Sequence, residues 1–203
     1  NTYWHIGQLL TNGISVAAAT NKVVYTSVWA NVLADGTIAY PAIVPVAYQE
    51  DEEDRRVCAK IPWYAGKDRV YGAMCFTAKW NPAEQDYDWK ASPPVSVRRR
   101  VSTRGFAEPA VAELKDGRLI MELRGSNVYL DPVKYPGRKW LSVSADRGRT
   151  WSDDTLVIRH TGGLNVMSVS LLRLASGEIA LFYLRKTSRE DCRPMMCLST
   201  DEA

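Results

Sequence analysis

A six-residue phrase occurs three times in this chain: Leu33-Ala-Asp-Gly-Thr-Ile38, Leu114-Lys-Asp-Gly-Arg-Leu119 and Leu174-Ala-Ser-Gly-Glu-Ile179. Each copy joins two apolar runs through Asp-Gly or Ser-Gly. Glycine takes the positive φ of a tight turn at no steric cost, so the phrase signals a β-hairpin. The flanks are strand-like: Ala110 to Leu114, Leu119 to Leu123, Ser168 to Leu172, and Ile179 to Leu184. No amphipathic helical pattern of about ten residues or more competes with them.

A second phrase follows each hairpin. Ser144-Ala-Asp-Arg-Gly-Arg-Thr-Trp151 is the clear copy, and Ser199-Thr-Asp-Glu-Ala203 is a shortened one. The first copy is degenerate, running from Phe76-Thr-Ala-Lys-Trp-Asn-Pro to Asp86-Tyr-Asp-Trp89. Trp89 and Trp151 are 62 residues apart, and Ser144 and Ser199 are 55 apart. A period of this size holds about four short strands, the content of a propeller blade. The spacing predicts an all-β chain: a β-propeller of four-stranded antiparallel blades within a single domain over 1–203. About three blades are expected, at approximately 25–95, 96–160 and 161–203, after an N-terminal piece. Turns are expected at Gly36, Gly117, Gly177 and, in the second phrase, Gly148.

Composition narrows the function classes. The chain has 203 residues, 46% hydrophobic and 24% charged, which fits a globular protein and excludes a disordered one. No apolar run approaches the ~20 residues of a membrane span. The net charge of +3 does not indicate a nucleic-acid partner. Four cysteines, Cys58, Cys75, Cys192 and Cys197, form no C-x-x-C pair, and His5 and His160 have no visible ligand partners. No metal and no cofactor is assigned, and the thiols read as buried. Seven Trp and ten Tyr against three Phe suit β-sheets and carbohydrate-binding surfaces.

The segment Ser144–Trp151 resembles the Asp-box of sialidases and related propellers, Ser-x-Asp-x-Gly-x-Thr-Trp, at all five fixed positions. In such a box the Asp caps backbone N–H groups of a turn, so Asp146 is a fold marker rather than a catalytic acid. A more specific resemblance lies in Glu108-Pro-Ala-Val-Ala-Glu-Leu-Lys-Asp-Gly117, followed by a strand ending in Arg124. It is similar to a sialidase stretch whose Glu assists a tyrosine nucleophile and whose Arg belongs to a triad gripping the substrate carboxylate. The resemblance therefore implies Glu108 as the catalytic assistant and Arg124 as a carboxylate-binding residue. For the third triad Arg it implies Arg193, six residues before Ser199, with Arg185 as second choice.

The chemistry suits those residue types. Planar Arg forks match a carboxylate bidentately. A Tyr nucleophile needs a nearby carboxylate to take its proton, since free Tyr titrates near ~10. The family's first triad Arg, acid/base Asp and nucleophilic Tyr are not found, so the chain is expected to be the central fragment of a sialidase-like glycoside hydrolase acting on sialic acid or a related acidic sugar. Alone it is expected to be inactive. A non-catalytic Asp-box propeller binding glycans or proteins is the other reading. The resemblance implies an extracellular or periplasmic protein, and the open blades imply self-association or contact with further blades.

The repeats act as an internal control. Leu and Gly recur in all three hairpins, whereas the place of Glu108 is taken by Ser27 and Ser168. Residues special to one blade are the better site candidates. Pairing the strands about Asp116-Gly117 sets Gly125 opposite Glu108 and Pro109 opposite Arg124. Strict alternation would then part the two charges, unless a bulge or bend at Pro109 brings both to one rim. Arg98-Arg-Arg100 reads as a solvated edge strand, and Glu50-Asp-Glu-Glu-Asp54 as a solvated loop.

Overall fold

The computed structural model describes residues 30–47, 50–59, 69–125, 137–159, 164–199 and 201–202. His5, Ser27, His160 and the N-terminal piece lie outside these. The described chain is all-β. Strands β1 (Asn31–Val32), β2 (Ile38–Ala47), β3 (Arg69–Asn81) and β4 (Asp86–Ala91) form the first sheet. Strands β5 (Phe106–Glu113), β6 (Leu119–Gly125), β7 (Arg138–Ser144) and β8 (Thr155–Ile158) form the second. The third holds β9 (Asn165–Arg173), β10 (Ile179–Lys186) and β11 (Cys192–Ser199). Every strand pairs antiparallel with its sequence neighbour, the up-and-down path of a propeller blade.

The hairpins fall where the repeated phrases place them. Gly36, Gly117, Gly177 and Gly148 have φ of 80°, 84°, 95° and 85° in turns between successive strands. The Asp-box occupies the β7–β8 turn. Asp146 accepts from the N–H groups of Arg149 and Thr150, from the Thr150 hydroxyl and from the Ser144 hydroxyl. The degenerate copy makes a related turn between β3 and β4, where the Asn81 side chain accepts from Ala83 and Glu84 N–H. In the shortened copy Ser199 donates to Asp201 as Ser144 does to Asp146, at 3.0 and 2.8 Å.

Alternation on β6 sets the two interior seams. Leu119, Met121 and Leu123 face the first sheet, packing with Ala73, Cys75, Val97 and Phe106, and with Trp151 of the Asp-box at the margin. Ile120 faces the third sheet and packs with Leu114, Ile179 and Leu171. Burying a side chain of this size stabilises the fold by roughly 1.5–3 kcal/mol. At the hairpin end, arginines lace the sheets together. Arg147 reaches Asp35 and Glu113, and Arg173 reaches the Glu113 carbonyl and Glu202.

Two expectations need correction. The charged runs are not solvated separately; they hold each other. Asp51 caps a seven-residue helix, α1 (Glu52–Cys58), in a reciprocal capping box with Asp54. Arg100 bonds Asp51 at 2.5 Å and Asp54 at 3.1 Å, Arg99 bonds Glu50 at 2.6 Å, and Arg98 pairs with Asp51. The thiols are not all buried: Cys75 is, and burial pushes it up to about 12, but Cys192 and Cys197 are exposed and unbridged on β11.

Candidate functional site

The site end of the second sheet is set by how β5 begins. Gly105 precedes it at φ 75°, and a Cβ there would lie 1.9 Å from the Tyr71 carbonyl oxygen. Only glycine permits this approach, which ties the start of β5 to β3 of the first sheet. Phe106 follows, fully buried and tilted against Trp140 at 6.4 Å.

The β5–β6 register then slips. Glu113 to Ala110 pair regularly with Leu119 to Glu122, but Ala107 faces Arg124 and Phe106 faces Gly125. The pairing differs by two residues from the one counted about Asp116-Gly117: the turn centres on Asp116, which pairs Glu113 with Leu119, and one further residue is extruded between Ala107 and Ala110. That bulge is the device anticipated at Pro109, whose missing N–H suits an irregular edge strand. Glu108 takes φ 49°, in the left-handed region. Its carboxylate accepts from Arg124 Nη1 at 2.5 Å. The side chains are 29% and 15% exposed, so the pair forms a rim and not a core contact. Glu108 Oε2 and Arg124 Nε are buried without a hydrogen-bond partner.

Behind this rim lie two residues that sequence reasoning missed. Lys139 on β7 stands directly opposite Arg124 in register, and Glu122 precedes Arg124 by two residues on the same face of β6. Both are fully buried, and their charged atoms have no hydrogen-bond partner. Burial pushes the Glu122 carboxyl up to about 8, opposed by Lys139 and reinforced by Glu108. Burial likewise pushes the Lys139 ammonium down to about 8, with Glu122 and Glu108 resisting and Arg124 reinforcing. The sequence held a signal: a lone Glu inside Leu119-Ile-Met-Glu-Leu123, alternating with Arg124.

The remaining candidates lie on the third sheet. Arg193 sits on the edge strand β11, 67% exposed and bonded to Asp191 at 2.6 Å. Arg185 faces Arg193 across the ladder from β10, and its buried Nε has no hydrogen-bond partner. Asp146 lies at the opposite end of β7 from the rim, and its carboxylate is occupied by the turn. Burial would raise it, but the Thr150, Ser144 and Arg149 donors outweigh that and hold it at about 2. Among the described residues no group of three or more His, Cys, Asp or Glu side chains is placed to hold a metal ion, and no helix is long and apolar enough to cross a membrane.

No protein-family model and no curated protein matches the chain. Among solved structures it is similar to a protein of unknown function from Dyadobacter fermentans, with a TM-score of 0.55 and 19% identity over 89% of this chain and 40% of that one. It is also similar to an N-acetylgalactosamine deacetylase from F. plautii, solved in complex with blood group B trisaccharide, with a TM-score of 0.49 and 11% identity over 90% of this chain and 51% of that one. The chain thus spans 40% and 51% of the lengths of these proteins. The first likeness is one of fold.

Proposed function

We propose that the chain forms blades of a sialidase-type propeller whose Glu108–Arg124 rim receives an acidic sugar, within an exo-acting glycoside hydrolase. One observation carries the reading. The bulge sets a Glu special to this blade against an Arg special to this blade, at the strand end away from the Asp-box. Arg124 keeps a guanidinium edge beyond the Nη1 bond, with which to meet a substrate carboxylate. Glu108 Oε2 is left without a hydrogen-bond partner among the described residues.

The ion pair itself favours a second reading, a propeller that binds glycans without cleaving them. A carboxylate oxygen already accepting from Arg124 is not free to accept a phenol proton. Titration calorimetry with N-acetylneuraminic acid tests the shared part. Binding with Kd on the order of 1 mM is expected, lost in Arg124→Ala and kept in Asp146→Ala if that variant folds. Glu108→Gln removes the competing negative charge and should tighten binding. No binding in a folded chain, or binding indifferent to Arg124→Ala, refutes the site. Turnover of a fluorogenic sialoside by a longer protein that carries these blades, disappearing in Glu108→Gln, separates the hydrolase from the binding module, since this chain alone is expected to be inactive.

A further inference from the structure

The rim uses two charged groups, yet the sheet behind it buries two more. Glu122 and Lys139 are fully buried and their charged atoms have no hydrogen-bond partner. Native interiors leave few such groups unmatched, because each is costly out of water. An apolar pair of similar volume would serve folding as well or better. Neither side chain reaches the surface, so neither touches a ligand. What remains open to them is exchange of a proton.

Their charged surroundings are few. Glu108 faces them from β5 and Arg124 from β6. From the third sheet, β9 brings Asn165, whose Oδ1 comes within 2.0 Å of where a Gly137 Cβ would be. The ionisable residue of β9, Arg173, is committed to Glu202 at the hairpin end. With Glu122 ionised, the four groups sum to zero: Glu108 and Glu122 against Arg124 and Lys139. With Glu122 protonated they sum to +1, and since Lys139 is also held down to about 8, its own proton loss at higher pH lowers the sum in the same direction.

We propose that Glu122 and Lys139 are positioning residues that exchange one proton behind the Glu108–Arg124 rim, so that proton uptake by Glu122 adds one positive charge to what the rim presents to an anionic ligand. This rests on the rim being the ligand site. Burial of Glu122 moves the exchange into the neutral range. A unit charge acting across roughly 10 Å at an effective dielectric near 20 changes affinity on the order of tenfold.

Carboxyl carbon NMR of the glutamate-labelled chain tests the exchange without a ligand, with Glu122 assigned through Glu122→Gln. The Glu122 midpoint should lie near neutral or above. It should fall in Glu108→Gln, which removes a repelling charge, and rise in Lys139→Met, which removes an attracting one. The Glu108 resonance should show an inflection at the Glu122 midpoint. N-acetylneuraminic acid should bind more weakly by on the order of tenfold as pH rises through that midpoint, and the dependence should weaken in Glu122→Gln. A Glu122 midpoint in the ordinary range near ~4.3 overturns the proposal. So does a midpoint unmoved by either substitution, or a Glu108 resonance blind to it. If the titrations follow expectation and the sugar binds at no pH, the carbohydrate reading fails and the proton exchange stands.

Discussion

Ser168 stands in β9 where Glu108 stands in β5: each lies nine residues before its hairpin glycine, Gly177 or Gly117, and each takes a left-handed backbone, at φ 56° and 49°. Both ladders slip there, the second between Phe182 and Leu184 on the partner strand. The bulge therefore belongs to the repeat, and only the side chain carried on it differs.

Left-handed backbone in a residue with a Cβ costs on the order of 1 kcal/mol, which glycine avoids. Ser168→Gly should stabilise the chain by about 0.5–1 kcal/mol in urea unfolding. Glu108→Gly should gain less or lose, because the Arg124 bond goes with it. A β-branched Ser168→Val should lose more than 1 kcal/mol, roughly. Equal effects of Gly and Val at Ser168 would mean that the backbone there is unstrained.

The sheets and hairpins were legible because their cues are local. Asp-Gly with apolar flanks specifies a turn, and Asp146 finds all its donors within four residues. The pairing of Glu108 with Arg124 was half legible: counting about Asp116-Gly117 set the ladder one residue out at the turn, which centres on Asp116, and the bulge moved it one further, a device with no reliable letter code that only Pro109 hinted at. Contacts distant in sequence left no trace. Nothing near Arg100 announces Asp54, 46 residues away, and nothing near Lys139 announces its burial beside Glu122.

Asp146 should matter to stability and not to the rim. It serves the turn through four hydrogen bonds, so Asp146→Ala should cost about 2 kcal/mol, the scale of hydrogen bonds to a partly exposed charge. The folded carboxyl, held at about 2, lies below its ordinary value of 3.8. Its stabilisation is therefore complete above the unfolded value and lost as pH falls from there through the folded one. Wild type should lose stability in this acid range where Asp146→Ala has no such contribution left to lose. A matching acid profile in both proteins would remove the carboxylate from the account.

Glu122 and Lys139 should place a stability minimum near pH 8. The folded Glu122 is raised from 4.5 to about 8, so across that window the native state binds more protons and stability falls as pH rises. The folded Lys139 is lowered from 10.5 to about 8, so above that point the unfolded state binds more protons and stability rises with pH. Denaturant midpoints should trace this dip in wild type and flatten in Glu122→Leu with Lys139→Met. The double variant should be at least as stable, while Glu122→Leu alone strands a buried ammonium and should cost about 3 kcal/mol. A flat wild-type profile would show that the two groups form a fully ionised pair.

The third sheet presents one face to the second and leaves the other open. Leu171 and Leu181 pack inward against Ala110. On the opposite face Leu172, Phe182, Met196 and Leu198 are 52%, 36%, 53% and 47% exposed. They line up across the ladder, with Ala180 between Leu172 and Leu198 and Phe182 beside Met196. In the second sheet both faces are covered by a neighbouring sheet, whereas no described element covers this face of the third. A contiguous apolar face of this kind favours association in water. The purified chain is therefore expected to self-associate in sedimentation velocity at micromolar concentration. Phe182→Lys with Leu198→Glu should return it to a monomer, since the charges stay solvated there and would be buried in any contact. The rim lies on the second sheet, away from Phe182 and Leu198, so sugar binding should survive the double substitution. A wild-type chain that sediments as a compact monomer would show that this face is tolerated in water, and would remove the need for a partner.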